Sequence, residues 1–487
     1  MESLQRTHNR GSISTGYDIE NSLKVERTNT EYLHRNVSTA GNAKVWCASM
    51  WIKRTELDGS QQFWQFLSSM TSNGSGGYSG WPTRIGFWYS TDGLWVDSRH
   101  GTGNARLTSL VFQRDTSAWY HIVVMQDTTQ STDTNRTKIY INGTLLLPAD
   151  LDYDQYPAQN ADTAMHVLNS RVAVGAQADG GYPWSGYIAD VHLLDGQTGK
   201  TPSDFAEYDE DSGIWKPKAY TGAYGTNGFH LKFEDSSNMG LDSSGNGNNL
   251  TSNNIAAADQ ATDTPTNNFS TLNPLIEQGL IPARYTVSEG GTKQISTADG
   301  YGCSVGTIGV SKGKWYFEAQ FTYDGGSGKH FGVIDEASFT TGTAFIDGIS
   351  PGQQAYGVSI FKNGGINIDG SYVPSYSFSS FTTETLGCAM DLDNNKLYFS
   401  RSGTYGNSGD PTSGATGTGA IPLSTAGGGT WFISTGCYTG HAQTNQGGYT
   451  SYTISSAASD ANGYGTFEYA PPSGYYALCT KNLEEFG

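Results

Sequence analysis

Three kinds of residue in this 487-residue chain could do chemistry, and each points in a different direction. The first is the run Asp242-Ser-Ser-Gly-Asn246-Gly-Asn248, which gathers side-chain oxygens in one short loop. A hard cation such as Ca2+ accepts such ligands, so Asp242, Asn246 and Asn248 are candidate calcium ligands; the same residue types also make ordinary Asx and glycine turns. The second is a set of aromatics set among polar loop residues: Tyr78, Trp81, Tyr182 and Trp184 in the first half, Tyr372 and Tyr376 in the second. An aromatic face stacks on the C–H surface of a sugar while a few amides or carboxylates fix its hydroxyls. These six are therefore candidate carbohydrate-binding residues, against the alternative that they pack on their own sheets or at a subunit interface. The third is the acid and base inventory. Asp391-Leu-Asp393 puts two carboxylates on one strand face but continues into Asn394-Asn395, a turn, which favours a structural role. The nine histidines are scattered; His121 and His192 read as solvent-facing or edge positions of strands, and no HExxH or Ser/His/Asp arrangement accompanies them. No catalytic residue is assigned, and an enzyme is not expected.

Charge and cysteine usage narrow the classes further. With 28 basic and 46 acidic residues the net charge is −18, so the average surface repels polyanions and nucleic acid drops out as a partner. Cys47, Cys303, Cys388, Cys437 and Cys479 are odd in number, widely separated and without CxxC or Cys/His spacing. Buried free thiols made in a reducing cytoplasm are expected rather than disulfides. No run approaches 18 apolar residues, and the polar stretch Met1 to Gly11 lacks the apolar region of a signal peptide. Neither standard secretion nor membrane insertion is expected. Residues 1–16 read as an N-terminal arm that docks on a neighbour.

The elements that must position these groups are strands. The 63 glycines lie between short aromatic and β-branched runs, with no collagen-like period. Lys138-Ile-Tyr-Ile141 and Leu145-Leu-Leu147 flank Asn142-Gly143, a dipeptide suited to the positive φ of a two-residue hairpin. Similar hairpins are expected at Asn363-Gly364, Asp369-Gly370 and Asp393-Asn394-Asn395. Alternation places Trp315, Phe317, Ala319 and Phe321 on one face and Tyr316, Glu318 and Gln320 on the other. It likewise groups Tyr187, Ala189, Val191 and Leu193, and sets Phe229, Leu231 and Phe233 against His230, Lys232 and Glu234 on a wet face. Helix is expected only at Pro202 to Glu207, behind a Thr201 cap. Ser402 to Ala420 is too poor in apolar residues to pack and reads as a long surface loop. The fold class is all-β: two antiparallel β-sandwich domains, of concanavalin-like jelly-roll type, joined by a polar linker. The expected boundaries are 17–255 for the first domain, 256–284 for the linker and 285–487 for the second.

Specific wording then suggests relatives. Trp119-Tyr-His-Ile-Val-Val, Lys138-Ile-Tyr-Ile-Asn-Gly-Thr144, Val172-Ala-Val-Gly175 and Trp184-Ser-Gly-Tyr-Ile-Ala-Asp-Val-His-Leu193 resemble, in order and spacing, the core strands of laminin-G-like, concanavalin-A-like domains. The second domain resembles the SPRY family through Gly313-Lys-Trp-Tyr-Phe-Glu318, Tyr356-Gly-Val-Ser359 and Gly387-Cys-Ala-Met-Asp-Leu-Asp393 with Leu397-Tyr-Phe399; Ser402-Gly403 stands where that family usually has Asn-Gly. Hydrolases of the concanavalin-like class carry a Glu-x-Asp-x-x-Glu strand, which does not occur here. Gly240-Leu-Asp-Ser-Ser-Gly-Asn-Gly-Asn-Asn-Leu250, Asp263-Thr-Pro-Thr-Asn-Asn-Phe-Ser-Thr-Leu-Asn-Pro274 and Tyr17-Asp-Ile-Glu-Asn-Ser-Leu23 look like wording of tailed-phage virion structural proteins, marine ones in particular. That resemblance implies a fibre or surface-decoration subunit in the virion, made in the host cytoplasm. It implies capsid or tail partners through the N-terminal region, homo-oligomerisation, with a trimer suiting a fibre, and adhesion to a host-surface glycan. The rival classes are a bacterial lectin or adhesin and a polysaccharide depolymerase.

Overall fold

A computed structural model describes residues 16–487 apart from 58–63, 74–76, 89–91, 99–104, 211, 276–284, 297–301, 322–327, 341–355, 375, 377, 381 and 438–439. The expected docking arm therefore lies almost wholly outside the described residues. The chain divides into two compact units after Thr266.

The first unit is a sandwich of two sheets, each of eight strands among the described residues. One sheet runs, in spatial order, through Thr144–Leu145, Thr137–Ile141, Trp119–Asp127, Val45–Arg54, Gly186–Asp195, Ser22–Val25 and Gln260–Ala261, with Phe229–Leu231 also paired to Gly186–Asp195. The other runs through Leu151–Gln155, Arg106–Phe112, Gly93–Ser98, Tyr78–Phe87, Trp64–Ser72, Arg171–Val174, Tyr32–Asn36 and Thr251–Asn253. Alternate residues meet between them: Trp46, Met50, Ile52, Ile122 and Val124 against Phe66, Ile85, Phe87, Leu94 and Val96, all within one buried cluster. Among the described residues, the second unit pairs a nine-stranded with a six-stranded sheet over a core that includes Trp315, Phe317, Phe331, Val333, Ile360 and Phe399.

Local turn chemistry is obeyed closely. Asn142 and Gly143 have φ of 48° and 80°, and Asp369 and Gly370 47° and 84°, the left-handed pairs that two-residue hairpins need. The five cysteines are free and buried. Helix at Pro202 is limited to the 3-10 turn Pro202–Asp204, closed by the Thr201 amide donating to Asp204 Oδ2 at 2.7 Å, before the chain returns to strand at Ala206–Tyr208.

Three expectations are corrected. Residues 256–275 are not a linker: Gln260–Ala261 extends the first sheet beside Ser22–Val25, and Asp263 lies buried against Lys53, whereas Phe269 and Leu272 pack in the second unit. Polar composition misled here because the polar groups are satisfied by burial in pairs. The Gly186–Asp195 strand does not alternate uniformly. Its pairing slips between Ala189 and His192, with Asp190 at φ 48°, so Ile188, Val191 and Leu193 face the core while Tyr187 and Ala189 do not. Such a bulge inserts one residue and reverses the side-chain phase. Ser402 to Ala420 is an ordered segment, with a short strand at Thr404–Tyr405 and turns at Gly406–Ser408 and Pro411–Thr416; Pro411 is buried and its carbonyl accepts from Tyr475 Oη at 3.0 Å.

The outer faces of the deep sheets are covered as well, which period-two patterning cannot show. Glu318, on the face opposite Trp315 and Phe317, is fully buried. Its carboxylate accepts from Tyr316 Oη (3.0 Å), Tyr452 Oη (3.1 Å), Asn445 Nδ2 (3.4 Å) and the amides of Glu468 (2.9 Å) and Tyr469 (2.8 Å). Burial pushes its pKa up against the pull of those donors. Glu318→Gln replaces one acceptor by an NH2 group that faces other donors, and a loss of about 1–3 kcal/mol is expected in urea unfolding of the second domain. A loss below ~0.5 kcal/mol would mean that the carboxylate does not organise the segment above it.

Candidate functional site

The residues singled out for sugar binding separate by environment. Trp184 is 1% exposed, and its ring lies edge-on to Phe66 inside the first core; Tyr376 is also buried, its hydroxyl donating to the Gly419 carbonyl at 3.1 Å. Neither reaches a ligand, because the aromatic body of each fills its own sandwich. Tyr182 and Tyr372 are exposed, at 40% and 50%. Tyr78 is half-buried beneath the Arg171 guanidinium and donates to Asn36 Oδ1 at 2.8 Å. Trp81 sits in the Tyr78–Phe87 strand, and its side chain lies outside the described residues.

The proposed calcium loop is closed by its own hydrogen bonds. Asp242 Oδ1 accepts from the amides of His230 (2.9 Å) and Ser244 (2.8 Å), and Oδ2 from that of Asn248 (2.8 Å). Asn246 and Asn248 turn their amide nitrogens to the carbonyls of Gly225, Thr226 and Gly228, and an Arg35 guanidinium nitrogen donates to Asn248 Oδ1. A cation at Asp242, Asn246 and Asn248 would have to displace these donors and face Arg35; the loop holds its shape through Asx-turn hydrogen bonds. Asp391 accepts from Asn394 and pairs with Lys314, and Asp393 accepts from the Gly313 amide.

A group that sequence reading missed lies on the outer face of the second sheet of the first domain. Arg84, Asp97 and Arg106 are consecutive cross-strand partners, since Arg84 pairs with Asp97 and Asp97 with Arg106. Their inward neighbours Ile85, Val96 and Leu107 are in the core, so the three point away from it. Asp97 accepts from Arg84 Nε (3.0 Å) and Arg106 Nε (3.1 Å). Arg84 Nη1 and Gln65 Nε2 both donate to Gln177 Oε1 at 3.2 Å, and Gln177 Nε2 donates to Asp179 at 3.0 Å. Trp95 lies beneath Arg84 (4.4 Å to the ring centre), and the Arg106 guanidinium stands near the rings of Trp88 (4.6 Å) and Trp95 (5.2 Å), which are set edge to face. The buried tier, Gln65, Trp95 and Asp97, is overlain by a more accessible rim of Trp88, Arg106 and Asp179. The loop that carries Gln177 and Asp179 continues to exposed Tyr182, whose carbonyl accepts from the Gln65 amide. Guanidinium, carboxamide, carboxylate and indole groups thus share one rigid sheet face. The only sequence signal was the alternation of Arg84, Trp95, Asp97 and Arg106 with apolar residues; their juxtaposition needed the strand register.

The second group missed is on the outer face of the first sheet. His121 and His192, expected at solvent or edge positions, are fully buried. The segment after Asp195, with Phe205, Trp215, Tyr220 and Tyr224, covers them. His192 and His230 are direct cross-strand partners, with rings stacked at 4.1 Å, and both face the Asp190 carboxylate. Burial pushes Asp190 up, but the two neighbouring imidazoles, His230 through a hydrogen bond, outweigh it and hold the carboxyl well below its usual range.

No curated protein matches the chain. Among solved structures, the SPRY domain of human HERC1 is similar at 12% identity, over 33% of this chain and 92% of that one, with a TM-score of 0.26. The native heptameric SAP-like pentraxin from Limulus polyphemus is similar at 14% identity, over 37% and 78%, with a TM-score of 0.27. The TRIM65 PSpry domain is similar at 11% identity, over 38% and 93%, with a TM-score of 0.24. Residues 27–199, which include most strands of both sheets of the first sandwich and the Arg84–Asp97–Arg106 face, match the family model of the Concanavalin A-like lectin/glucanases superfamily.

Proposed function

We propose that this chain is a non-catalytic, glycan-binding adhesion subunit displayed on a tailed-phage particle. The observation that carries the binding reading is the outer face of the second sheet, where Trp88, Arg106, Asp179 and Tyr182 stand around a fixed layer of Trp95, Asp97 and Gln65. Indole and phenol faces suit a sugar's C–H surface, and guanidinium and amide groups suit its hydroxyls. Asp97 is engaged by two guanidiniums, an arrangement that serves binding rather than acid catalysis. The particle context is supported by the virion-like wording at Tyr17–Leu23, Gly240–Leu250 and Asp263–Pro274. Many copies on one particle would turn weak single contacts into firm attachment through avidity, and a homo-oligomer follows from that role.

A glycan array probed with the full chain tests the reading. Saccharide binding is expected, and Tyr182→Ala and Trp88→Ala should each weaken it about 5- to 10-fold, the equivalent of one lost aromatic contact. Binding to no glycan, or equal binding by both variants, overturns this site. Mass spectrometry of purified particles should find the chain among the virion proteins; its absence from them overturns the particle assignment.

A further inference from the structure

We infer that Asp190, His192 and His230 form a binding site for a divalent transition-metal ion, with Zn2+ the best fit, buried on the outer face of the first sheet of the N-terminal domain. One ligand atom from each of the three residues can be chosen so that all lie within 4.8 Å of one another, and all three residues are buried. The arrangement follows from β-sheet geometry. Asp190 and His192 are two apart on one strand, and His230 is directly opposite His192 on the next, so the three side chains leave the sheet together. The bulge at Asp190, with φ 48°, turns its carboxylate toward the imidazoles.

The distances lie close to those of a coordination shell. Asp190 Oδ1 is 2.6 Å from His230 Nε2, and Oδ2 is 3.2 Å from His192 Nε2. Ligand atoms about 3.3 Å apart are what a tetrahedral ion with roughly 2.0–2.1 Å bonds requires; the Asp190–His192 separation of 3.2 Å is close to that, and the Asp190–His230 separation of 2.6 Å is shorter than it. His192 Nε2 is buried, and although it stands near Asp190 it makes no aligned hydrogen bond, which leaves its lone pair for a metal. Its other ring nitrogen, Nδ1, is 2.8 Å from Tyr224 Oη. A ligating imidazole commonly donates its second N–H in this way, which fixes its tautomer and orientation. Tyr17 Oη, donating to Asp190 Oδ1 at 2.8 Å, is placed to supply or to hydrogen-bond the fourth ligand. Two neutral imidazoles and one carboxylate are the nitrogen and oxygen donors that Zn2+ accepts. The ion would tie together the bulged strand, the Phe229–Leu231 strand and the Tyr17 entry of the chain, a structural role away from the glycan-binding face.

The test uses the full chain stripped with a chelator and titrated with ZnCl2 by calorimetry, followed by thermal melting. One equivalent is expected to bind at submicromolar Kd and to raise the melting temperature of the first domain. Co2+ substituted for Zn2+ should give the d–d absorption of a four-coordinate site. His230→Gln should weaken Zn2+ on the order of 100-fold, by analogy with the loss of groups that support a metal. His121→Gln, outside the cluster, should leave Zn2+ affinity unchanged. A folded wild-type chain that takes up no stoichiometric Zn2+ and melts unchanged overturns the inference, and this readout stands even where the His230 variant fails to fold. Undiminished affinity in a folded His230→Gln variant overturns it equally.

Discussion

Replacing Lys53 by Met should cost the N-terminal domain about 3–5 kcal/mol in urea unfolding, because it strips a fully buried carboxylate of its cation. Lys53 Nζ lies 2.7 Å from Asp263 Oδ2, and their side chains are 0% and 1% exposed. Trp119 Nε1 donates to the other Asp263 oxygen at 3.1 Å. Burial pushes the Lys53 pKa down, and Asp263 opposes that pull, so the ammonium depends on its partner as much as the carboxylate depends on it. The double variant Lys53→Met with Asp263→Asn removes both charges and keeps an acceptor for the indole. It should recover more than half of the loss, with a coupling energy of about 1–3 kcal/mol in the double-mutant cycle. A single-variant loss below ~1 kcal/mol would show that water reaches the pair.

Acidification should destabilise both domains well above the usual carboxylate range. Burial pushes His121 in the first domain and His330 in the second down to about 3, against about 6.5 for an unfolded histidine. Between these values the unfolded chain binds protons that the folded chain refuses. The stabilisation from keeping each imidazole neutral is therefore complete above about pH 6.5 and is lost as pH falls toward 3, at up to ~1.4 kcal/mol per unit and histidine. Trp215 Nε1–H donates to His121 Nδ1 at 3.0 Å, so Nε2 carries the proton and donates to Ser49 Oγ at 2.8 Å; the ring also stacks on Trp51 at 4.7 Å. A protonated ring would lose the Trp215 contact. Denaturant midpoints measured from pH 7 to pH 4 should fall for both transitions. His121→Gln and His330→Phe should each flatten the slope of their own domain by about 1.4 kcal/mol per unit. Unchanged slopes in both variants would assign the acid sensitivity to other groups.

The amino-acid sequence by itself determined the all-β class, the hairpin turns and inward rows such as Trp315, Phe317, Ala319 and Phe321, though not the row broken by the bulge at Asp190. Those features are written in neighbours: alternation has a period of two, and Asn142-Gly143 or Asp369-Gly370 needs only its own φ values to reverse the chain. The buried state of the cysteines was legible for the same local reason, since four of the five fall within strand-like or apolar stretches. What only the tertiary structure decided is where the outward rows end up. Trp184 and Tyr376 are core residues although their neighbours are polar, and Asp263 is buried although its segment looks like a linker. His192 stays on the outer face, and it is buried because Phe205, Tyr220 and Tyr224 of a later segment cover the sheet there. The Arg84–Asp97–Arg106 row exists only through the pairing of three strands. Burial of an outer face, a register shift and a cross-strand contact all depend on residues distant along the chain, and no period within one segment encodes them.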